Sequence, residues 1–395
     1  MSRKFFYGCF IVFSSVLFGL IISAQADLTA ALRTETRLYQ QPDALAPSFA
    51  TLDAETDITI LGRTEIPMWV LIEAGELSGW MPAGVVALSE NVTLLDLPVR
   101  DSVVAIPDGT EVVIAETMRA YTEDERLLGF MDMLLNTPIF YNMDTDTLDA
   151  IFAEGRALGN RADVFTKVGD SDTTSGDYLQ PIGLGAQYCE LGSYDYLQAT
   201  IDLYSTPPLN GIRTSFSNTS VAAINGLTMV AALDPFWTDS PACNNGESPL
   251  ACEYRLVEPS VSVIMLGRMD VTYFDAAFYR ENAVRVIEDS ISRGVIPILT
   301  TFVVLPDNFA WENSIEFNAT LVDLATEYDI PLINLWRAVQ PLPRFGIGPD
   351  LTHLHHQLDQ FCNFTGAETE LGGTLRNLLT LQALDLIRQS TLNSE

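Results

Sequence analysis

From Asp163 onward this chain alternates short apolar runs with longer segments of helical periodicity, and few architectures accept that alternation. Val164–Val168 is a β-type run that breaks at Gly169-Asp170-Ser171. Val261–Leu266 is apolar at every position but Ser262, the pattern of a strand buried on both faces. The periodicity then predicts a helix over 276–293, stopped by Gly294, and a strand over 296–305. Pro297 falls near the start of that strand, where a missing N–H is tolerated. A helix over 314–328, a strand over 332–335 and a closing helix over 371–389 follow, and a helix over 145–158 precedes the first strand. This βαβαβ order predicts an α/β domain over residues 138–395, a parallel sheet covered by helices on both sides.

In such a sheet, functional groups gather beyond the carboxyl ends of the strands. Four of these ends carry chemistry. Gly169-Asp170-Ser171 presents a hydroxyl, and Ser220…Asn225-Gly226-Leu227-Thr228 sets a glycine at the opening of a helical run, its amide free to face an anion. Gly267-Arg268-Met269-Asp270 follows the buried strand, and Asp350-Leu351-Thr352-His353 follows Gly346-Ile347-Gly348-Pro349. A serine is a poor nucleophile without a base for its proton, a carboxylate to orient that base and donors for the oxyanion. The chain has only three histidines, His353, His355 and His356. An aspartate three residues before a histidine can set its carboxylate on Nδ1 and leave Nε2 for a serine proton. Asp350, His353, His355 and His356 also read as a metal-ligand set or a solvated cluster, and Gly-Asp-Ser is ordinary turn chemistry as well.

Taken in order, the four blocks across residues 160–390 resemble those of the SGNH/GDSL hydrolases. The flanks Lys167-Val168-Gly169-Asp170-Ser171, Cys252-Glu253-Tyr254-Arg255 and Pro259-Ser260-Val261 look like those of secreted bacterial members. The resemblance implies a three-layer, flavodoxin-like parallel sheet, ester hydrolysis through a serine acyl-enzyme, and no cofactor or metal. It makes Ser171 the nucleophile, His353 the base and Asp350 the orienting carboxylate, with the N–H groups of Ser171 and Gly226 in the oxyanion hole. The family's third oxyanion donor is an asparagine side chain; Met269 stands there in this chain, and a thioether cannot donate. Arg268 and Asn225 are candidates to replace it, and Asp270 reads as structural. Met269 also leaves a different reading open, an SGNH-fold binding or scaffold module with impaired catalysis.

Residues 30–90 read as all-β, with Ile58, Ile60 and Trp69–Ile72 in strands. Thr36–Tyr39 with Pro42, and Gly79–Val86, resemble the first and last parts of bacterial SH3-like domains. That resemblance implies a small barrel over 27–90 that works beside a cell-wall enzyme and takes a cell-wall ligand. Tyr39, Trp69 and Trp80 are its core or a ligand groove. Residues 91–137 read as a connector, with a hairpin at Asp108–Ile114 and a helix over 122–135 capped by Thr122.

Residues 1–26 carry a basic start, the apolar run Phe5–Ser23 and an Ala24-Gln25-Ala26 cleavage signal, so a signal peptide is expected. The run is also long enough for an uncleaved anchor, the one route to a membrane, and either way the chain is exported, secreted or held at the cell surface. With 52 acidic and 21 basic residues the net charge is -31, which excludes nucleic acid and anionic membranes as main partners. It suits an extracellular protein acting on a neutral substrate, a small acyl ester or an acylated glycan. Cys9 lies in the signal, and Cys189, Cys243, Cys252 and Cys362 form an even set for an oxidising compartment. Of three possible pairings, Cys243–Cys252 is favoured because it closes a short Asn/Gly/Pro-rich loop; Cys189–Cys362 follows by elimination. Sequons begin at Asn91, Asn218, Asn318 and Asn363.

Overall fold

The computed structural model describes residues 28–89, 92–209 and 211–392; the expected signal segment 1–26, with Cys9, and the sequon at Asn91 lie outside the described residues. The N-terminal part forms one antiparallel sheet of seven strands: β1 (Leu28–Leu32), β2 (Thr36–Tyr39), β3 (Ser48–Leu52), β4 (Asp57–Arg63), β5 (Trp69–Ala74), β6 (Leu77–Pro82) and β7 (Val86–Ala87). Their spatial order is β3-β2-β6-β5-β4-β1-β7. In β4 every second residue is buried, Ile58, Ile60 and Gly62, the period of a strand with one wet face. Trp80 is fully buried and donates its indole N–H to the Ser102 carbonyl at 2.8 Å. Trp69 is buried edge-on to Tyr39, ring centroids 5.3 Å apart.

The connector differs from expectation in two places. No hairpin forms at 108–114; Val113 instead reaches back to Ser48 in a single antiparallel bridge. The helix runs Glu125–Asn136 and is capped by Asp124, whose carboxylate accepts the N–H groups of Arg126 and Leu127. Thr122 stands two residues too early and accepts the Asp124 N–H.

The second sheet holds β8 (Phe140–Tyr141), β9 (Arg161–Gly169), β10 (Pro259–Met265), β11 (Ile296–Thr300) and β12 (Leu332–Ile333), in the order β8-β12-β11-β10-β9. β9 to β12 are parallel, and β8 is an antiparallel edge. A parallel bridge between Gly169 and Ala223 lays the second-block segment along the free side of β9. The chain thus departs to one side of β9 and later returns on the other as β10. That reversal is the topological switch point where α/β sheets open a crevice, and Ser171 lies at it.

The strand expected over 296–305 ends at Thr300. Beyond it the Phe302 N–H and carbonyl are both taken by the Asn318 side chain at 2.8 Å, so a side-chain amide replaces a neighbouring strand. Asn318 is fully buried by this duty, which closes its sequon to modification. β12 stops at Ile333 because Asn334 turns and caps the helix Leu335–Ala338. The closing helix, Gly372–Ile387, is buried along nearly its whole length. The second-block helix is the single turn Met229–Ala232, capped by Thr228, so Gly226 lies in the loop before it rather than at its head.

The two halves share one apolar core, which runs from Leu38 and Val70 through to Leu378 and Leu384. Polar ties cross the joint: the Gly84 N–H donates to Tyr194 Oη at 3.1 Å, Ser193 to the Val86 carbonyl, and Arg337 pairs with Asp43 at 2.6 Å. Among the described residues no helix is long and apolar enough to cross a membrane. The cysteines join as Cys189–Cys362 and Cys243–Cys252, separated in sequence by 173 and 9 residues. Loop-closure entropy grows with the logarithm of loop length, so the long link restrains the unfolded chain more, by about 2–3 kcal/mol. Replacing Cys189 and Cys362 with serine is therefore expected to lower the unfolding free energy by about 2–3 kcal/mol more than replacing Cys243 and Cys252, as read by urea denaturation.

Candidate active site

β9 carries the serine to the switch point on a buried stem. Lys167 is buried on it and donates to the Phe216 carbonyl at 2.7 Å; desolvation lowers its ammonium to about 7, with the Glu253 carboxylate pulling the other way. Glu253, also buried, accepts from the Thr166 hydroxyl and from the Val221 N–H at 2.8 Å. The two flanking motifs read in the sequence thereby fasten residues 216–221, which lead to Gly226, onto β9. At Gly169 a Cβ would lie 2.2 Å from Thr173 Oγ1 and 2.8 Å from the Met265 carbonyl, so no side chain fits where the strand turns.

Asp170 caps the short turn Ser171–Thr174 by accepting the Asp172 N–H. Ser171 is the first residue of that turn, where an N–H has no intrahelical partner. Among the described residues neither the Ser171 N–H nor the Gly226 N–H donates to another protein group. Gly226 adopts φ +80° and faces open space.

The histidine loop folds back on itself. Ile347 and Leu354 form an antiparallel bridge, and the Gly348 N–H donates to the His353 carbonyl at 2.9 Å. Asp350 Oδ1 accepts the N–H groups of Thr352 and His353, an Asx turn that presents the other oxygen to the ring. His353 Nδ1 lies 2.6 Å from Asp350 Oδ2, and His353 Nε2 lies 2.9 Å from Ser171 Oγ. Slight burial pushes the Asp350 carboxyl up, but the His353 ring and the two backbone donors outweigh it and hold it at about 2.

His355 and His356 do not join this chain of contacts. His356 packs near Phe361, 3.9 Å from Asp177, and desolvation lowers its ring. The donor atoms of Asp350, His353, His355 and His356 do not converge on a common metal position. Among the described residues only Cys243, Glu247 and Cys252 bring three such donor atoms close together, and those cysteines are bonded to each other.

Met269 heads the turn Asp270–Tyr273 at the end of β10. Arg268 donates through Nε and Nη2 to the Thr352 carbonyl, at 3.4 and 3.3 Å, so it bridges the third block to the histidine loop. Asn225 accepts from Thr174 Oγ1 at 2.5 Å and ties the second block to the serine turn. Two residues that sequence reasoning passed over complete the assembly. Asp172 Oδ1 accepts the Leu354 N–H at 3.2 Å. Arg376, buried in the closing helix and stacked 3.7 Å over the Tyr178 ring, donates to the Asp172 carbonyl and to Thr173 Oγ1. An open cleft of about 550 Å³ borders Ser171 and His353, with Ser175, Asp177 and Pro349 on its walls.

No family model and no curated protein matches this chain. The solved structures it resembles include lipolytic enzymes of the GDSL type. One is described as a lipolytic protein of the G-D-S-L family from Desulfitobacterium hafniense (14% identity, 55% of this chain and 98% of that one, TM-score 0.33). Another is the psychrotrophic esterase EstA from Pseudoalteromonas sp. (14%, 56% and 97%, 0.34). A third is a GDSL-like lipase from Bacteroides thetaiotaomicron (14%, 60% and 97%, 0.35).

Beneath the serine turn lie two buried carboxyls. Burial and the neighbouring Asp172 raise Asp170 to about 6, against the pull of Arg376 and Arg268. Burial raises Asp270 to about 7; its Oδ1 accepts the Met229 N–H at 2.9 Å, and its Oδ2 has no partner among the described residues. A carboxyl raised in the folded state holds its proton longer there than in the unfolded chain. Its stabilising contribution is complete below pH 4 and disappears as pH rises through about 7. Asp270→Asn is expected to remove its share of that decline, roughly 2–4 kcal/mol between pH 4 and 8, as read by chemical denaturation across that range.

Proposed function

We propose that this protein is an exported serine ester hydrolase that acts through an acyl-enzyme. The observation that carries the reading is the pair of contacts on His353, 2.9 Å to Ser171 Oγ and 2.6 Å to Asp350 Oδ2. Ser171 Oγ attacks the ester carbonyl carbon while His353 Nε2 takes its proton. Asp350 holds the ring in the tautomer that makes this possible and stabilises the imidazolium. The carbonyl oxygen becomes an oxyanion facing the unspent N–H groups of Ser171 and Gly226. Collapse of the tetrahedral intermediate expels the alcohol, which leaves with the proton from His353. Water then enters, gives its proton to His353 and attacks the acyl carbon; as the acyl–Oγ bond breaks, His353 returns that proton to Ser171 Oγ, releasing the acid and restoring the serine. These steps call on no cofactor. The open, mixed-polarity cleft and the acidic surface favour a neutral ester, a small acyl ester or an acetylated glycan. The N-terminal sheet is read as an SH3-like companion for a cell-wall ligand, and residues 1–26 as the export signal.

Met269 favours a second reading, a hydrolase fold whose catalysis is impaired. One missing oxyanion donor typically costs about 3–4 kcal/mol of transition-state stabilisation, a hundred- to thousandfold in rate. Purified protein without the signal segment is expected to hydrolyse p-nitrophenyl acetate, and Ser171→Ala to lose at least about a thousandfold in kcat. Equal rates for the two would remove the esterase reading. Met269→Asn is expected to raise kcat by about ten- to a thousandfold. An unchanged kcat in an active enzyme would mean that another group already fills the third donor's place.

A further inference from the structure

Beside the cleft at Ser171 lies a second open hollow, of about 680 Å³. The two share a wall. Ser175 and Asp177 border the cleft, while Gly176 between them borders the hollow. His356 also borders the cleft, and its ring centroid is 6.1 Å from that of Phe361, which borders the hollow. The ridge of residues 175–177 thus faces both.

The sides of the hollow are locked together. Gln187–Leu191 supply one side and Asp359–Asn363 the other. The Cys189–Cys362 bond joins them, and Glu190 and Asn363 form a parallel bridge. The Glu190 N–H donates to the Cys362 carbonyl at 2.7 Å, and the Phe364 N–H to the Glu190 carbonyl at 2.8 Å. A site held in shape this way spends little binding free energy on ordering itself.

Its lining is amphipathic. Tyr188 is 55% exposed, and with Leu184 and Phe361 it supplies apolar surface. Gln187, Glu190 and Asp359 are exposed at the same hollow. The Glu190 carboxylate lies 4.0 Å from Arg33, and the side chains of Gln187 and Asp359 bond to no other group among the described residues. A long acyl chain laid here would desolvate these polar groups without replacing their hydrogen bonds. An anionic guest would meet two carboxylates. A sugar ring suits both kinds of surface: its C–H faces lie on an aromatic ring, and the hydroxyls around its edge bond to carboxylates and amides.

We propose that this hollow is a subsite for a neutral glycan chain. It takes a sugar further along the chain whose esterified unit lies at Ser171, with Tyr188 under the ring and Gln187 and Asp359 on its hydroxyls. The proposal rests on the esterase reading for the bond that is cut, and it narrows the substrate from any neutral ester to an acylated oligosaccharide.

The probes are tetrasaccharides of β-1,4-linked glucose, xylose or mannose, each partly O-acetylated, with the acetylated monosaccharides as counterparts. For protein without the signal segment, the best tetrasaccharide is expected to exceed its monosaccharide at least about tenfold in kcat/KM, mainly through KM. Tyr188→Ala is expected to remove that advantage, each variant being referred to its own rate on p-nitrophenyl acetate. In Ser171→Ala, calorimetry is expected to show the tetrasaccharide binding at least about tenfold more tightly than the monosaccharide, and adding Tyr188→Ala to abolish the difference. Equal binding of tetrasaccharide and monosaccharide for all three sugars overturns the subsite, even where Ser171 cleaves p-nitrophenyl acetate. So does a chain-length preference that survives both Tyr188→Ala and Gln187→Ala. Tetrasaccharide binding that needs Tyr188, in a chain that cleaves no ester, upholds the subsite and removes the esterase reading instead. Rates that rise from p-nitrophenyl acetate to p-nitrophenyl decanoate, and lose that rise in Tyr188→Ala, assign the hollow to an acyl chain and overturn the proposal.

Discussion

Ser171 and His353 are 182 residues apart along the chain, and Asp172 is what holds them in register. Its carboxylate accepts the N–H of Leu354, the residue after the histidine, and its carbonyl accepts the Arg376 guanidinium. One residue therefore follows the serine, touches the neighbour of the histidine and is anchored to the closing helix. Hydrogen-bond geometry between a hydroxyl and an imidazole tolerates little misplacement, so a link one residue from each partner constrains it far better than distant packing can. The Cys189–Cys362 bond repeats the logic at longer range, joining the segment after the serine turn to the one after the histidine loop.

The parts of this arrangement that were legible in the sequence are those whose signal is local. β10 announces itself because a strand buried on both faces reads as a mostly apolar run. Asp350 and His353 were legible because three residues of spacing suffice for an Asx turn to bring carboxylate and ring together. The parts that escaped depend on partners remote in sequence. Residues 301–305 are as apolar as a strand, yet Asn318 takes their backbone, and no local pattern reveals that. Arg376 and Asp172 are one contact between residues 204 apart. Asp124 displaced Thr122 as the cap by a shift of two residues, a choice that capping preferences alone do not make.

Buried ionisable groups recur wherever two segments must be joined. Lys167 and Glu253 lie where the second block is fastened to β9, Asp270 holds the turn Met229–Ala232, and Glu368 lies at the joint of the two halves. Each accepts or donates to backbone that has left regular structure, so each satisfies peptide groups that a ladder or helix would otherwise serve. Burial moves the lysine down and the carboxyls up, and the charge on these groups is discounted accordingly. In a chain with net charge -31, acids held near neutrality inside the fold add little to the self-repulsion of its surface.

Met269 breaks the pattern of the four blocks, while the residues around it are well tied. Asp270 accepts the Met229 N–H, Gly226 has a left-handed backbone with an open face, and Asn225 is tied to the serine turn. Arg268 adds a strut from the end of β10 to the carbonyl beside His353, which couples the third block to the histidine loop. On the proposed esterase reading, two donors fixed in place still need no reorganisation when charge develops, and that is what preorganisation supplies.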